Sequence, residues 1–189
     1  MTRIFTALSA PFAEKLNKFN YNQIAYYGGN MKVIFLDVDG VLNSVDTSEV
    51  FQGFVGIDDK FVSKLRKIVR ATGAQIVLSS SWKHDWEPLD KDKQNKYGDY
   101  LDQKLKKYLL SAVDKTSEVN SEYRGEGIIE WVGAHEVDSF IILDDEWFDF
   151  KELGLQSRVI KTEFYDENGG LTDDHVELAI ELLNSEIPN

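Results

Sequence analysis

Four consecutive apolar residues, Val33-Ile34-Phe35-Leu36, are closed abruptly by Asp37-Val38-Asp39-Gly40. A short, unbroken apolar run of this kind predicts a strand buried on both faces of a parallel sheet. Downstream, Asp58 predicts a helix N-cap, and Phe61, Leu65 and Ile68 recur at helical spacing until Gly73 ends the run. Gln75-Ile76-Val77-Leu78 then predicts a second strand, running into Ser79-Ser80-Ser81-Trp82. Strand, helix and strand in this order make a βαβ unit. Residues 83–95 are polar and read as a loop. A helix over 99–111 places Leu101, Leu105, Tyr108 and Leu109 on one face, and a shorter one over 125–132 carries Ile128, Ile129 and Trp131. Phe140-Ile141-Ile142-Leu143, closed by Asp144-Asp145-Glu146, repeats the opening device. A strand over 158–164 leads to the turn Asn168-Gly169-Gly170, after which Thr172 caps a last helix with Val176, Ala179, Ile180 and Leu183 inward. The expected fold class is α/β, a three-layer Rossmann-like domain with a mainly parallel sheet. Between Asp39 and Ser79 there is room only for a turn, the segment 44–56 and one helix. Between Trp82 and Arg124 the chain reads as a polar loop plus a helix, so no separate cap domain is expected.

Residues 1–30 differ from this text. They are less apolar, end in Tyr26-Tyr27-Gly28-Gly29-Asn30, and read as an N-terminal extension of undefined role, with a short helix over 13–19; the domain proper spans 31–189. Arg3 and the apolar stretch that follows are interrupted by Ser9 and Pro11 with no cleavage motif after them, so a cytoplasmic protein is expected. At 189 residues there is length for one core with decorations. No apolar run approaches the roughly 20 residues of a spanning helix, and no membrane partner is expected.

Composition narrows the chemistry. Without cysteine, disulfides, thiolate nucleophiles and thiolate metal sites are all excluded. Lys and Arg number 21 against 33 Asp and Glu, a formal charge of −12, which repels polyanions at long range. A nucleic acid could then be held only locally, because no dense basic run is present; Lys104, Lys106 and Lys107 come nearest and read as a solvated helix face. His84, His135 and His175 lack metal-ligand spacing and read as surface or helix-end residues.

Ligands of parallel α/β sheets bind outside the carboxyl ends of the strands. Three predicted strands end in polar residues, which brings Asp37 and Asp39, Ser79, and Asp144 and Asp145 toward one place. Residues two apart on extended backbone point to the same side, so Asp37 and Asp39 are neighbours at the strand's mouth, and Gly40 allows a sharp exit. Converging carboxylates require a cation, and their oxygens suit a hard one, with Mg²⁺ the expected cofactor. Ser80 or Ser81 replaces Ser79 if the strand runs further than Leu78. Trp131 reads as core, and Trp82, just past the strand, as a candidate for substrate contact.

Asp37-Val38-Asp39-Gly40-Val41-Leu42-Asn43 resembles the first motif of the haloacid dehalogenase (HAD) superfamily of phosphatases. Ser79 stands where the second motif has its Ser or Thr, Arg124 can serve as the third motif's basic residue, with Lys115 as its competitor, and Asp144-Asp145 resembles the acidic fourth motif. More narrowly, Leu78-Ser79-Ser80-Ser81-Trp82, Arg124 before Ile129-Glu130-Trp131-Val132, and Gly170-Leu171-Thr172 resemble the HAD domain of Swiss-army-knife RNA repair proteins. The resemblance spans roughly 32–184 and implies Asp37 as nucleophile, forming an aspartyl-phosphate, and Asp39 as general acid and base. It also implies Mg²⁺ held by Asp37, the main-chain carbonyl of Asp39 and Asp144, with Asp145 alongside, and phosphoryl oxygens bound by Ser79 and Arg124. The expected activity is Mg²⁺-dependent hydrolysis of a phosphorylated substrate. A polynucleotide-end phosphatase, acting on a nucleotide or nucleic-acid end, and a catalytically silent HAD-like binding protein are the alternatives. The oligomeric state is not legible.

Overall fold

The computed structural model describes residues 31–117 and 123–185; the helix expected over 13–19 and the extension 1–30 lie outside them. Strands β1 (Lys32–Leu36), β4 (Gln75–Leu78), β5 (Ala112–Lys115), β6 (Ser139–Asp144) and β7 (Val159–Lys161) form one five-stranded sheet. Its order is β5-β4-β1-β6-β7 and every pairing is parallel. The remaining strands, β2 (Val50–Phe51) and β3 (Phe54–Val55), make a separate antiparallel hairpin.

The period-2 alternation of strand side chains divides the core into two layers. Ile34, Leu36, Ile76, Leu78, Ile141 and Leu143 face one way and pack under helices α1 (Asp59–Thr72), α2 (Lys96–Lys107) and α4 (Asp173–Asn184). Val33, Phe35, Val77, Phe140 and Ile142 face the other way, against Ile128 and Trp131 of α3 (Arg124–Gly133) and against Phe150 and Leu155. The sandwich of helices, sheet and helix is the expected three-layer Rossmann-like α/β architecture.

The helix boundaries follow their caps. Asp58 accepts a hydrogen bond from the Lys60 amide, and Gly73, at φ 72°, takes the left-handed conformation that ends α1. Thr172 caps α4 in a reciprocal box, its hydroxyl accepting from the His175 amide while the His175 ring accepts from the Thr172 amide.

Four elements differ from expectation; the strand expected over 158–164 spans only Val159–Lys161, because the 3₁₀ turn Gln156–Arg158 precedes it and the pairing with β6 ends at Lys161. The helix expected over 99–111 starts earlier, because Asn95 caps it through the Tyr97 amide, and stops at Lys107. The chain it releases forms β5, an edge strand of part-exposed residues without an apolar run to announce it. Segment 44–56 holds the hairpin, and Lys104 is buried, paired with Glu49 at 2.5 Å and Asp59 at 3.3 Å, not solvated. Among the described residues the two long connections are a hairpin with α1, and 3₁₀ turns with α2 that packs into the core; neither contains an independent cap. No helix among them is long and apolar enough to cross a membrane.

Candidate active site

Strand register places the site. Leu36 of β1 lies level with Leu78 of β4 and Leu143 of β6, so the next residues, Asp37, Ser79 and Asp144, stand side by side. The ladder extends through them: the Asp37 amide donates to the Leu143 carbonyl (2.9 Å) and the Ser79 amide to the Leu36 carbonyl (3.0 Å). From β1 the chain proceeds first to one side of the sheet and later to the other, so this mouth is also the topological switch point.

Asp37 and Asp144 are buried and Asp145 is partly exposed; one carboxylate oxygen from each lies within 4.8 Å of the others. Arg124 enters as the first residue of α3. That helix starts without a cap from its own N-terminal neighbour; instead Asp149 accepts hydrogen bonds from the amides of Gly125 (2.7 Å) and Glu126 (3.2 Å). The Arg124 guanidinium, lying over the Phe148 ring (4.2 Å), places Nη1 3.1 Å from Asp37 and 2.9 Å from Asp144. Lys115 is engaged elsewhere, donating to the carbonyls of Lys83 and Trp86 and to Glu87.

Burial pushes Asp37 up from the ordinary carboxylate range, opposed by Arg124 and by a hydrogen bond with Ser80. Burial, then the charge of Asp37, pushes Asp144 up to about 8, and burial with Asp37 and Glu146 pushes Asp145 up to about 6. Three carboxylates thus converge where one guanidinium reaches two of them, and the excess negative charge is compatible with a divalent cation. The donor set fits: three hard oxygens converge, and at Gly40 (φ 74°) a Cβ would lie 2.3 Å from Asp145 Cγ, so the turn is shaped to admit that carboxylate.

Asp39 is not one of the three converging carboxylates. Its Oδ1 accepts from Asn43 Nδ2 (2.8 Å) and its Oδ2 from the Trp82 indole Nε1 (2.8 Å). The buried Ser79 hydroxyl has no hydrogen-bond partner among the described residues, a rare state for a buried polar atom, whereas Ser81 is exposed. His84 is exposed, His135 stacks on Trp131 (3.7 Å), and His175 serves the α4 cap. Sequence reasoning missed Asn43 and the Trp82 bond; only the spacing of Asn43 behind Asp39 in a tight turn signalled either.

A doubly wound α/β domain with acidic residues on the ends of two adjacent central strands is the class the fold and site define, that of the HAD-type domains. The sequence model described as "HAD domain in Swiss Army Knife RNA repair proteins" matches residues 33–176, most of the chain, and the chain belongs to that family. No curated protein matches it.

Proposed function

We propose that residues 31–189 form a Mg²⁺-dependent phosphomonoester hydrolase domain that acts through an aspartyl-phosphate on Asp37, with residues 1–30 an extension of it. The observation that carries the reading is the meeting of Asp37, Asp144 and Asp145 within 4.8 Å, with Arg124 against the first two. A carboxylate oxygen of Asp37 attacks phosphorus, the ester P–O bond breaks, and Asp39 gives its proton to the departing alkoxide. Asp39 then takes a proton from water as its oxygen attacks the acyl-phosphate, releasing inorganic phosphate and restoring Asp37. Arg124 and the Ser79 hydroxyl, which has no partner among the described residues, hold phosphoryl oxygens, where oriented donors do most of the work. Asp37, the Asp39 carbonyl and Asp144, with Asp145 alongside, would hold Mg²⁺, which supplies charge neutralisation between phosphate and nucleophile.

A nucleic-acid end is the favoured substrate class, because the family is described by RNA repair proteins and, among the described residues, neither long connection contains an independent cap. A net charge of −12 then implies local engagement of the terminus with modest affinity. The test compares catalytic efficiency on para-nitrophenyl phosphate, a sugar phosphate and a terminally phosphorylated oligonucleotide, with Mg²⁺ and with EDTA. Hydrolysis that survives chelation contradicts the reading. Preference for the sugar phosphate contradicts the nucleic-acid end alone.

A further inference from the structure

We infer that Trp82 is a positioning residue for Asp39, holding the carboxylate by its indole N–H in the orientation that reaches the leaving oxygen. The inference rests on the reading of Asp39 as general acid and base. Trp82 lies in the 3₁₀ turn Ser81–His84, and the Ser80 hydroxyl accepts from its amide at 3.3 Å. That turn directly follows β4, so the indole starts from the strand mouth. Its Nε1 donates to Asp39 Oδ2 at 2.8 Å while Asn43 donates to Oδ1 at 2.8 Å. Asn43 is fully buried and its Oδ1 accepts from the Gly40 amide at 2.8 Å, which fixes which end of its amide faces Asp39. Donors from two separate segments therefore grip the two oxygens and stop the carboxylate from rotating. Each oxygen keeps a second lone pair with which to exchange a proton.

The indole is itself braced. Its ring meets Tyr97 edge-on at 6.1 Å and Tyr100 at 6.3 Å, and Tyr100 stacks flat on Phe51 of the hairpin at 4.0 Å. The Tyr100 hydroxyl donates to Glu49 (2.8 Å) and accepts from the Ile57 amide (2.9 Å), so that ring has no freedom to turn. Trp86 and Trp131 make the same bond to Asp102 and Asp114, so an indole–aspartate bond alone is a structural device in this protein. Trp82 differs in its acceptor, which lies two residues past Asp37 at the mouth of β1.

Trp82→Phe keeps the ring contacts and removes the donor. A misplaced acid matters when the leaving group is an alkoxide and little when it is a stabilised phenolate, which departs without a proton. The expected result is a fall in kcat/KM, which reads the phosphorylation step alone, of about tenfold or more on an alkyl phosphate but less than about threefold on para-nitrophenyl phosphate. Equal loss on both esters would show a packing role only, and no loss would show none; either overturns the inference. Asp39→Asn must show the same split, more strongly. If it shows none, the reading of Asp39 falls and this inference with it; if it shows the split and Trp82→Phe does not, the inference alone falls. Should Trp82→Phe not fold, the indole N–H signals of the four tryptophans decide. Asp39→Ala should shift one of them and speed its exchange with solvent, and four unmoved signals would overturn the inference.

Discussion

Gly40→Ala tests whether the turn after β1 is built around Asp145. Gly40 has φ 74°, a region that disfavours residues with a Cβ by roughly 1–2 kcal/mol. The added atom would also fall 2.3 Å from Asp145 Cγ and Oδ2 and 2.4 Å from Asp145 Cβ. Rotating the Asp145 side chain removes the first two conflicts but not the third, since Cβ does not move with χ1. Backbone must therefore shift at the end of β6, and such overpacking adds roughly 1–3 kcal/mol, less a few tenths for the stiffer unfolded chain. The sum is about 2–4 kcal/mol, or roughly 5–15 °C in Tm for a domain of this size. Because the displaced group is one of the three convergent carboxylates, the variant should also lose most of the Tm gain that Mg²⁺ gives the wild type. Calorimetry with and without Mg²⁺ reads both effects. A variant of wild-type Tm with an undiminished Mg²⁺ gain would refute the reasoning.

Other consequences follow from the same site. Arg124→Met keeps an apolar stem on Phe148 but leaves Asp37 and Asp144 without their guanidinium; kcat/KM should fall about a hundredfold or more. Lys115→Met, which removes ties to Lys83, Trp86 and Glu87, should lower Tm while turnover stays within about threefold, and the opposite ranking in a steady-state assay would move the phosphate-binding role to Lys115. Asp144, pushed up to about 8, and Asp145, to about 6, both lie above the unfolded value of about 4, so folding takes up protons and the metal-free protein loses stability as pH rises through that window. Mg²⁺ needs those carboxylates deprotonated, so its Tm gain should be larger at pH 8.5 than at pH 6.5, and equal gains at the two pH values would count against these ligands.

The central strands were legible because burial on both faces writes an unbroken apolar run, as in Val33 to Leu36 and Phe140 to Leu143, and because each run stops at an acidic residue of the candidate site. Caps were equally plain at Asp58, Gly73 and Thr172, where one side chain or one backbone conformation decides the boundary. β5 was not legible: at the sheet edge, Ala112-Val113-Asp114-Lys115 is held by parallel pairing to β4, which leaves no hydrophobic signature. The hairpin was hidden for a similar reason, since Val50 and Phe54 face solvent and its anchor, the stack of Phe51 on Tyr100, joins residues distant in sequence. Within the site, Asp37, Ser79 and Asp144 were legible from the strand ends because register is inherited from the sheet. The bond from Trp82 to Asp39 and the burial of Lys104 against Glu49 and Asp59 depend on how loops fold back, which no local pattern records.

The covalent role of Asp37 is tested most directly by quenching the protein in acid during turnover of an alkyl phosphate and mapping any added phosphoryl group by peptide mass. One phosphoryl group is expected on the peptide that contains Asp37, present with Mg²⁺, absent with EDTA, absent in Asp37→Asn, and accumulating in Asp39→Asn on an aryl ester, where the second step lacks its base. Turnover in Asp37→Asn within about tenfold of wild type, where loss of a covalent nucleophile should cost on the order of a thousandfold, together with no adduct on that peptide, would contradict it.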